Sequence, residues 1–187
     1  NPQAQDELIQ RRRAEAMRLL NERGYAEADV VKFWMQLDVD YFMHATPDEI
    51  AWHTRHALTL PFPEKPVVKL WADSHRGCTE ILVYSQDRER LFAHTTALLD
   101  QLGLNIQGAR IQTLIDGRAM NSYFVLGQDN DTIGTALDRQ QIIHTLQDGL
   151  AEPDSFDPNI SQRMPRRIKA FIAPPQVNLI QDQANSR

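Results

Sequence analysis

Three side chains in this sequence have the types and spacing to hold a metal ion. Glu49, His53 and His56 follow one another at i, i+4 and i+7, close to one face if the segment is helical. Zinc and non-haem iron sites use carboxylate and imidazole sets of that kind. No His-Glu-x-x-His motif accompanies them and no second cluster stands nearby in sequence. The plainer reading makes Glu49 a helix-capping carboxylate, with two histidines packed beside Trp52. That reading is adopted, and no metal site is expected. His44, His75, His94 and His144 each stand without a neighbouring carboxylate.

Nucleophilic chemistry has less to work with. Cys78 is the single cysteine, and His75 is close to it, but no third residue is placed to orient the pair. A bystander thiol is expected. The eight glycines are scattered, so there is no phosphate-cradling loop. Arg163, Arg166, Arg167 and Lys169 form the one basic cluster, read as solvated loop or as a docking surface for an acidic partner. No catalytic residue is assigned.

The elements that must position these residues begin with helices. Residues 6–23 carry Leu8, Arg12, Glu15 and Leu19 on one face, with Ile9, Ala16 and Leu20 beside them, and Gly24 supplies a stop. A second helix is expected over 27–37, with 40–44 as a link. The third start is the clearest: Thr46 can cap, Pro47 suits the first helical position, and Glu49 completes a Thr-x-x-Glu capping box. Prolines 61, 63 and 66 then make a stiff connector. The expected division is a helical segment at 1–60, a linker at 61–77, one domain at 78–181 and a truncated end at 182–187. Within the linker, residues 67–71 have the composition of a short strand.

Beyond the linker the period changes. Residues 79–85 (TEILVYS) are β-rich, and Ile81 to Tyr84 is apolar on both faces, which predicts self-association or an apolar surface that wants a partner. Asp87 can cap a helix whose stripe is Leu91, Thr95, Leu98 and Leu102, with Gly103 ending it. Residues 105–114 form a second strand with Ala109, Ile111 and Thr113 in phase. Ile106 is out of phase, which predicts a bulge near Gln107 and Gly108. Asp116-Gly117 turns the chain into a third strand, 118–126. A helix follows at 137–150 with Ile142 and Leu146 inward, and a last strand at 168–180. The order from Thr79 is β-α-β-β-α-β, so the fold class is α+β: a helical segment followed by a ferredoxin-like domain. On the third strand Tyr123 and Phe124 point to opposite faces, so they make no RNA-stacking platform.

Composition bounds the partners. A formal charge of −5 and a pI near 5.7 argue against nucleic acid. No apolar run approaches the roughly 18 residues a membrane span needs, and one cysteine fits a reducing, cytoplasmic setting. The chain opens on Asn1 inside helix-like sequence, and it is expected to be a piece cut from a longer protein.

The run Arg76-Gly77-Cys78-Thr79-Glu80-Ile81, followed by Ser85-Gln86-Asp87-Arg88 and Leu91-Phe92-Ala93, resembles the first ACT domain of a bacterial enzyme family. These are the bifunctional uridylyltransferase/uridylyl-removing enzymes that act on the PII nitrogen-regulatory protein. Asp40-Tyr41-Phe42 and Thr46-Pro47-Asp48-Glu49-Ile50-Ala51-Trp52-His53-Thr54-Arg55-His56 are similar to the helical tail after that family's HD domain. Asn105-Ile106, Gly108-Ala109-Arg110-Ile111, Asp116-Gly117-Arg118-Ala119-Met120 and Phe124-Val125-Leu126 match its ACT strands.

The resemblance implies a parent with a nucleotidyltransferase domain, an HD phosphohydrolase domain and two ACT domains. The parent would add UMP to PII when glutamine is scarce, remove it when glutamine is plentiful, and use Mg²⁺ or Mn²⁺ for both. This chain has no His-Asp dipeptide and no Gly-Ser nucleotidyltransferase signature, so it is expected to be inactive and to need no cofactor. Its implied partners are PII through the parent, glutamine as effector, and a second ACT domain or another copy of itself. Amino-acid-binding ACT domains carry Asp-x-x-Gly after the first strand, where the helix N-terminus receives a carboxylate. The matching run here is Asp87-Arg88-Glu89-Arg90, with arginine in place of glycine. Arg90 either fills the pocket or reaches for a carboxylate. Asp87, Arg88, Arg90 and Asn105 are the ligand candidates; the alternative is a capped helix start with solvated charges. A purely structural ACT–ACT interaction module is the competing function, and a metal-dependent hydrolase using Glu49, His53 and His56 a distant third.

Overall fold

The computed structural model describes residues 1–72 and 77–153. They fall into two units, one of Asn1–Phe62 with Leu114–Asp116, the other starting at Pro63 and including the remaining described residues.

In the helical unit, α1 (Pro2–Glu22) ends as its sequence demands. Gly24 takes φ 88°, the Gly24 N–H donates to the Asn21 carbonyl (3.0 Å) and the Tyr25 N–H to that of Leu20 (3.1 Å), satisfying carbonyls that the last turn leaves open. Ile9, Ala16 and Leu20 are its buried face. Helix α2 is Glu27–Trp34, shorter than expected. The segment expected as a link is instead a short helix, α3 (Val39–His44), because the Asp38 carboxylate accepts from the Tyr41 N–H at 2.9 Å. Helix α4 (Pro47–Thr59) starts with the expected reciprocal box between Thr46 and Glu49. Tyr41 and Phe42 bring α3 into the core, with Trp34 edge-on to Phe42 at 5.6 Å. Each such buried side chain contributes about 1.5–3 kcal/mol.

Arg12 does work that its spacing did not reveal. Its guanidinium donates to the carbonyls of Phe42 (3.2 Å), Met43 (2.6 Å) and Ala45 (3.2 Å). A cation thus sits where α3 ends and its carbonyls lack helical donors.

The second unit is a four-stranded antiparallel sheet in the order β1-β2-β4-β3, formed by β1 (Val67–Trp71), β2 (Thr79–Gln86), β3 (Asn105–Arg110) and β4 (Arg118–Leu126). Helices α5 (Leu91–Gln101) and α6 (Ala136–Leu150) cover one face. This is the α+β, ferredoxin-like ACT-type fold, with one difference in how the sheet is completed. Beside β2, where βαββαβ order would seat the last strand, lies β1, paired from Val67 against Tyr84 to Trp71 against Glu80. Its position is fixed further by Gln147 of α6, whose side-chain oxygen accepts from the Val68 N–H at 3.0 Å. The strand expected at 168–180 and the basic cluster at 163–169 lie outside the described residues.

Ile81, Val83, Ile106, Ala109, Tyr123 and Val125 meet Leu91 and Leu99 of α5 and Ile142, Leu146 and Leu150 of α6 in the core. The expected bulge is present, the register slipping between Ile106 and Gly108. That slip puts both Ile106 and Ala109 on the helix side. Regular pairing stops at Arg110, short of the expected end. The Asn121 side-chain oxygen takes the Gln112 N–H at 3.2 Å, and Ile111 is left 38% exposed rather than in phase with Ala109.

Tyr123 stacks on Phe92 at 5.9 Å on the helix side, whereas Phe124, on the opposite face, lies 5.8 Å from the Arg110 guanidinium. Both phases of β2 are buried, and Leu82 and Tyr84 are 0% exposed. Among the described residues no helix is long and apolar enough to cross a membrane.

Candidate functional site

The turn from β2 into α5 holds three of the four ligand candidates. Gln86 ends β2 opposite Arg118, and the Asp87 N–H donates to the Gly117 carbonyl at 2.9 Å. This leaves the Asp87 side chain exposed. Asp87 does not cap the helix, contrary to expectation. The residue in the cap position is Arg90, which makes no side-chain cap bond and takes φ 66°, ψ 12°. That is the left-handed region where glycine is at ease and an L-residue pays about 1–2 kcal/mol. The turn thus sets arginine at a left-handed backbone position where the resemblance led to the expectation of glycine. The Arg90 side chain is exposed.

Arg88 is engaged. Its guanidinium donates to His94 Nδ1 at 2.9 Å and to the Leu150 carbonyl at the end of α6 at 3.4 Å. Burial lowers its pKa. His94 is 4% exposed, and its pKa is held below the ordinary value by burial first and by the charge of Arg88 second. Sequence spacing gave no sign of this pair, because Arg88 lies before the helix and His94 inside it.

Asn105 is not part of this turn. Strands β2 and β3 run in the same direction on either side of β4, so the end of β2 and the start of β3 lie at opposite ends of the sheet. Asn105 pairs with Leu126 while Gln86 pairs with Arg118. At about 3.4 Å per residue along β4 this separates them by on the order of 30 Å. The Asn105 amide instead donates to the Gly127 carbonyl (3.2 Å) and the Asn130 side-chain oxygen (3.1 Å). The four candidates do not converge within one copy of the domain.

The sequence's metal-like triplet is absorbed by helix structure. Glu49 is 0% exposed and its carboxylate accepts from the Thr46 N–H and hydroxyl, both at 3.2 Å. His53 Nδ1 lies 2.6 Å from the Tyr41 hydroxyl, and His56 packs edge-on to Trp52 at 4.9 Å. Among the described residues no three His, Cys, Asp or Glu side chains are grouped to hold a metal ion. The divalent metal implied for a parent enzyme finds no matching residues there.

Residues 4–56, which span most of the helical unit, match the family model described as "Uridylyltransferase GlnD fifth domain". Over 97% of its length the chain is 35% identical to the bifunctional uridylyltransferase/uridylyl-removing enzyme of Pseudomonas putida strain F1. The chain is similar to these enzymes along nearly its whole length. The same identity and coverage hold for the relatives from Pseudomonas fluorescens strain Pf-5 and Pseudomonas aeruginosa strain LESB58. The chain spans about a fifth of those relatives, 21% of each. No solved structure matches it.

Proposed function

We propose that this chain is a regulatory portion of a bifunctional uridylyltransferase/uridylyl-removing enzyme. In this reading it relays glutamine status to nucleotidyltransferase and HD phosphohydrolase domains that modify PII in the cytoplasm with Mg²⁺ or Mn²⁺. The observation that carries it is continuous similarity through both units, 35% over 97% of this chain yet only 21% of the relative. Likeness restricted to one unit would have supported a shared fold and nothing more. The effector part is supported by the left-handed backbone at Arg90, the conformation glycine adopts most readily, at the position where the resemblance implies a glycine.

The test is a full-length enzyme of this kind with and without the region corresponding to this chain. Uridylylation of PII is followed across glutamine concentrations. Loss of the glutamine response with transferase activity retained is the expected result. An unchanged response in the deletion would end the proposal. The chain alone, given PII, UTP and Mg²⁺ or Mn²⁺, is expected to show no transfer and no UMP release.

A second reading, a structural module that pairs with another ACT domain and binds no ligand, is favoured by Arg88. Its guanidinium is bound to His94 and Leu150 rather than left for a ligand. Calorimetric titration of the chain with glutamine separates the two, saturable heat belonging only to the first.

A further inference from the structure

At the end of the sheet opposite the β2–α5 turn, where β3 begins and β4 ends, a groove of about 380 Å³ opens. Its floor is apolar: Leu104, Ile133 and Ile142 are 4%, 8% and 6% exposed. Its rim carries the exposed carboxylates of Asp131 and Asp138, and among the described residues no Lys, Arg or His lines it. The volume falls within the roughly 300–1,000 Å³ of small-ligand sites.

The wall is pinned from several directions. Asn105 holds Gly127 and Asn130, and the Gly127 N–H donates to the Asp131 carbonyl at 2.6 Å. The Gln128 amide lies so close over Gly103 that a Cβ there would stand 2.8 Å from Nε2. Asp129 and Asn130 are consecutive non-glycine residues at φ 59° and 60°. Strain of that kind persists only where surrounding contacts impose it, and it gathers at ligand-holding sites.

We propose that this groove binds a small organic cation: a short branched hydrocarbon body carrying one ammonium or guanidinium group. The floor takes the hydrocarbon out of water, and the two carboxylates take the charge. A carboxylate on the ligand would face Asp131 and Asp138 without a compensating cation, so free amino acids are disfavoured. The site is thus distinct from any glutamine site at the β2–α5 turn, and it stands whether or not that turn senses glutamine.

The experiment titrates the ¹⁵N-labelled chain with isoamylamine, with isovalerate as the anionic counterpart of the same shape, and with glutamine. The amides of Gly127, Ile133, Gly134 and Asp138 are followed. Saturable shifts confined to these residues are expected with the amine, and none with isovalerate or glutamine. The double variant Asp131→Asn, Asp138→Asn should weaken amine binding about five- to tenfold, as two exposed charge pairs would. Gly134→Phe should abolish it. Gly134 lines the groove and a Cβ there meets nothing within 4 Å, so the larger side chain is accepted without a clash at its base. Absence of saturable shifts with the amine overturns the proposal. So does an equal response to isovalerate or glutamine, amine binding as tight in the double variant as in the parent chain, or binding that survives Gly134→Phe.

Discussion

The Arg88 guanidinium donates to Nδ1 of His94 across 2.9 Å, with His94 only 4% exposed. An imidazolium has no lone pair at Nδ1, so the bond exists only while His94 is neutral. Through Arg88 and the Leu150 carbonyl, the same contact ties the β2–α5 turn to the end of α6.

Acid should weaken the sheet domain through this pair. The folded pKa of His94 is lowered by burial and by Arg88, so the unfolded chain takes up the proton first, from about pH 6.5 downward. The pair's stabilisation is present above that pH and is lost as pH falls through the folded pKa. Urea midpoints at about pH 7.5 and pH 5.5 should fall less in His94→Gln than in the parent chain. An equal fall in both would remove His94 from the explanation.

Arg90→Gly should stabilise the domain by about 0.5–1 kcal/mol. It relieves the left-handed strain at φ 66° and gives back part of the gain through the freer unfolded chain. Arg90→Val should lose stability, because a branched Cβ suits that backbone region least. Equilibrium denaturation reads both. A loss in Arg90→Gly would mean that the arginine side chain makes a contact worth more than the strain.

Removing Arg12 should loosen the helical unit. Arg12→Met keeps much of the stem but leaves the carbonyls of Phe42, Met43 and Ala45 without their charged donor. A hydrogen bond to a charged group is worth about 1.5–3 kcal/mol. A loss of that size is expected in thermal unfolding, with Arg12→Lys in between. A variant within about 0.5 kcal/mol of the parent would show that solvent replaces Arg12 at no cost.

Gly149 lies inside α6, where glycine costs about 1 kcal/mol relative to alanine. A Cβ there would stand 2.8 Å from both terminal methyl carbons of Leu98 on α5, so close helix packing accounts for it. Gly149→Ala should therefore be more favourable in a Leu98→Ala background than in the parent chain. A double-mutant cycle should give a coupling of about 1 kcal/mol. Additive effects would mean that Leu98 turns aside freely.

Signals carried by a few adjacent residues were readable from the sequence because their physics is local. Thr46, Pro47 and Glu49 start α4, Gly24 and Gly103 end helices at φ 88° and 73°, and Asp116-Gly117 precedes β4. The misplaced phase of Ile106 foretold the bulge, since alternation along a strand leaves one way to restore the buried face. The paired helix and strand lengths were enough for the fold class. The short α3 was missed because six residues show too little periodicity to mark a helix, and its tie to Arg12 spans about thirty positions.

Strand neighbours and convergence were decided only by the tertiary structure. That Val67–Trp71 pairs along the edge of β2 is a long-range choice, and spacing along the chain does not rank it. Asp87 and Asn105 read as one ligand set, yet the parallel course of β2 and β3 places them at opposite ends of β4. Glu49, His53 and His56 had metal-ligand spacing, but Thr46, Tyr41 and Trp52 occupy them. A residue's type fixes what chemistry it can do. Whether it is free to do it depends on neighbours that the fold brings from distant positions, and those contacts leave no local trace in the chain.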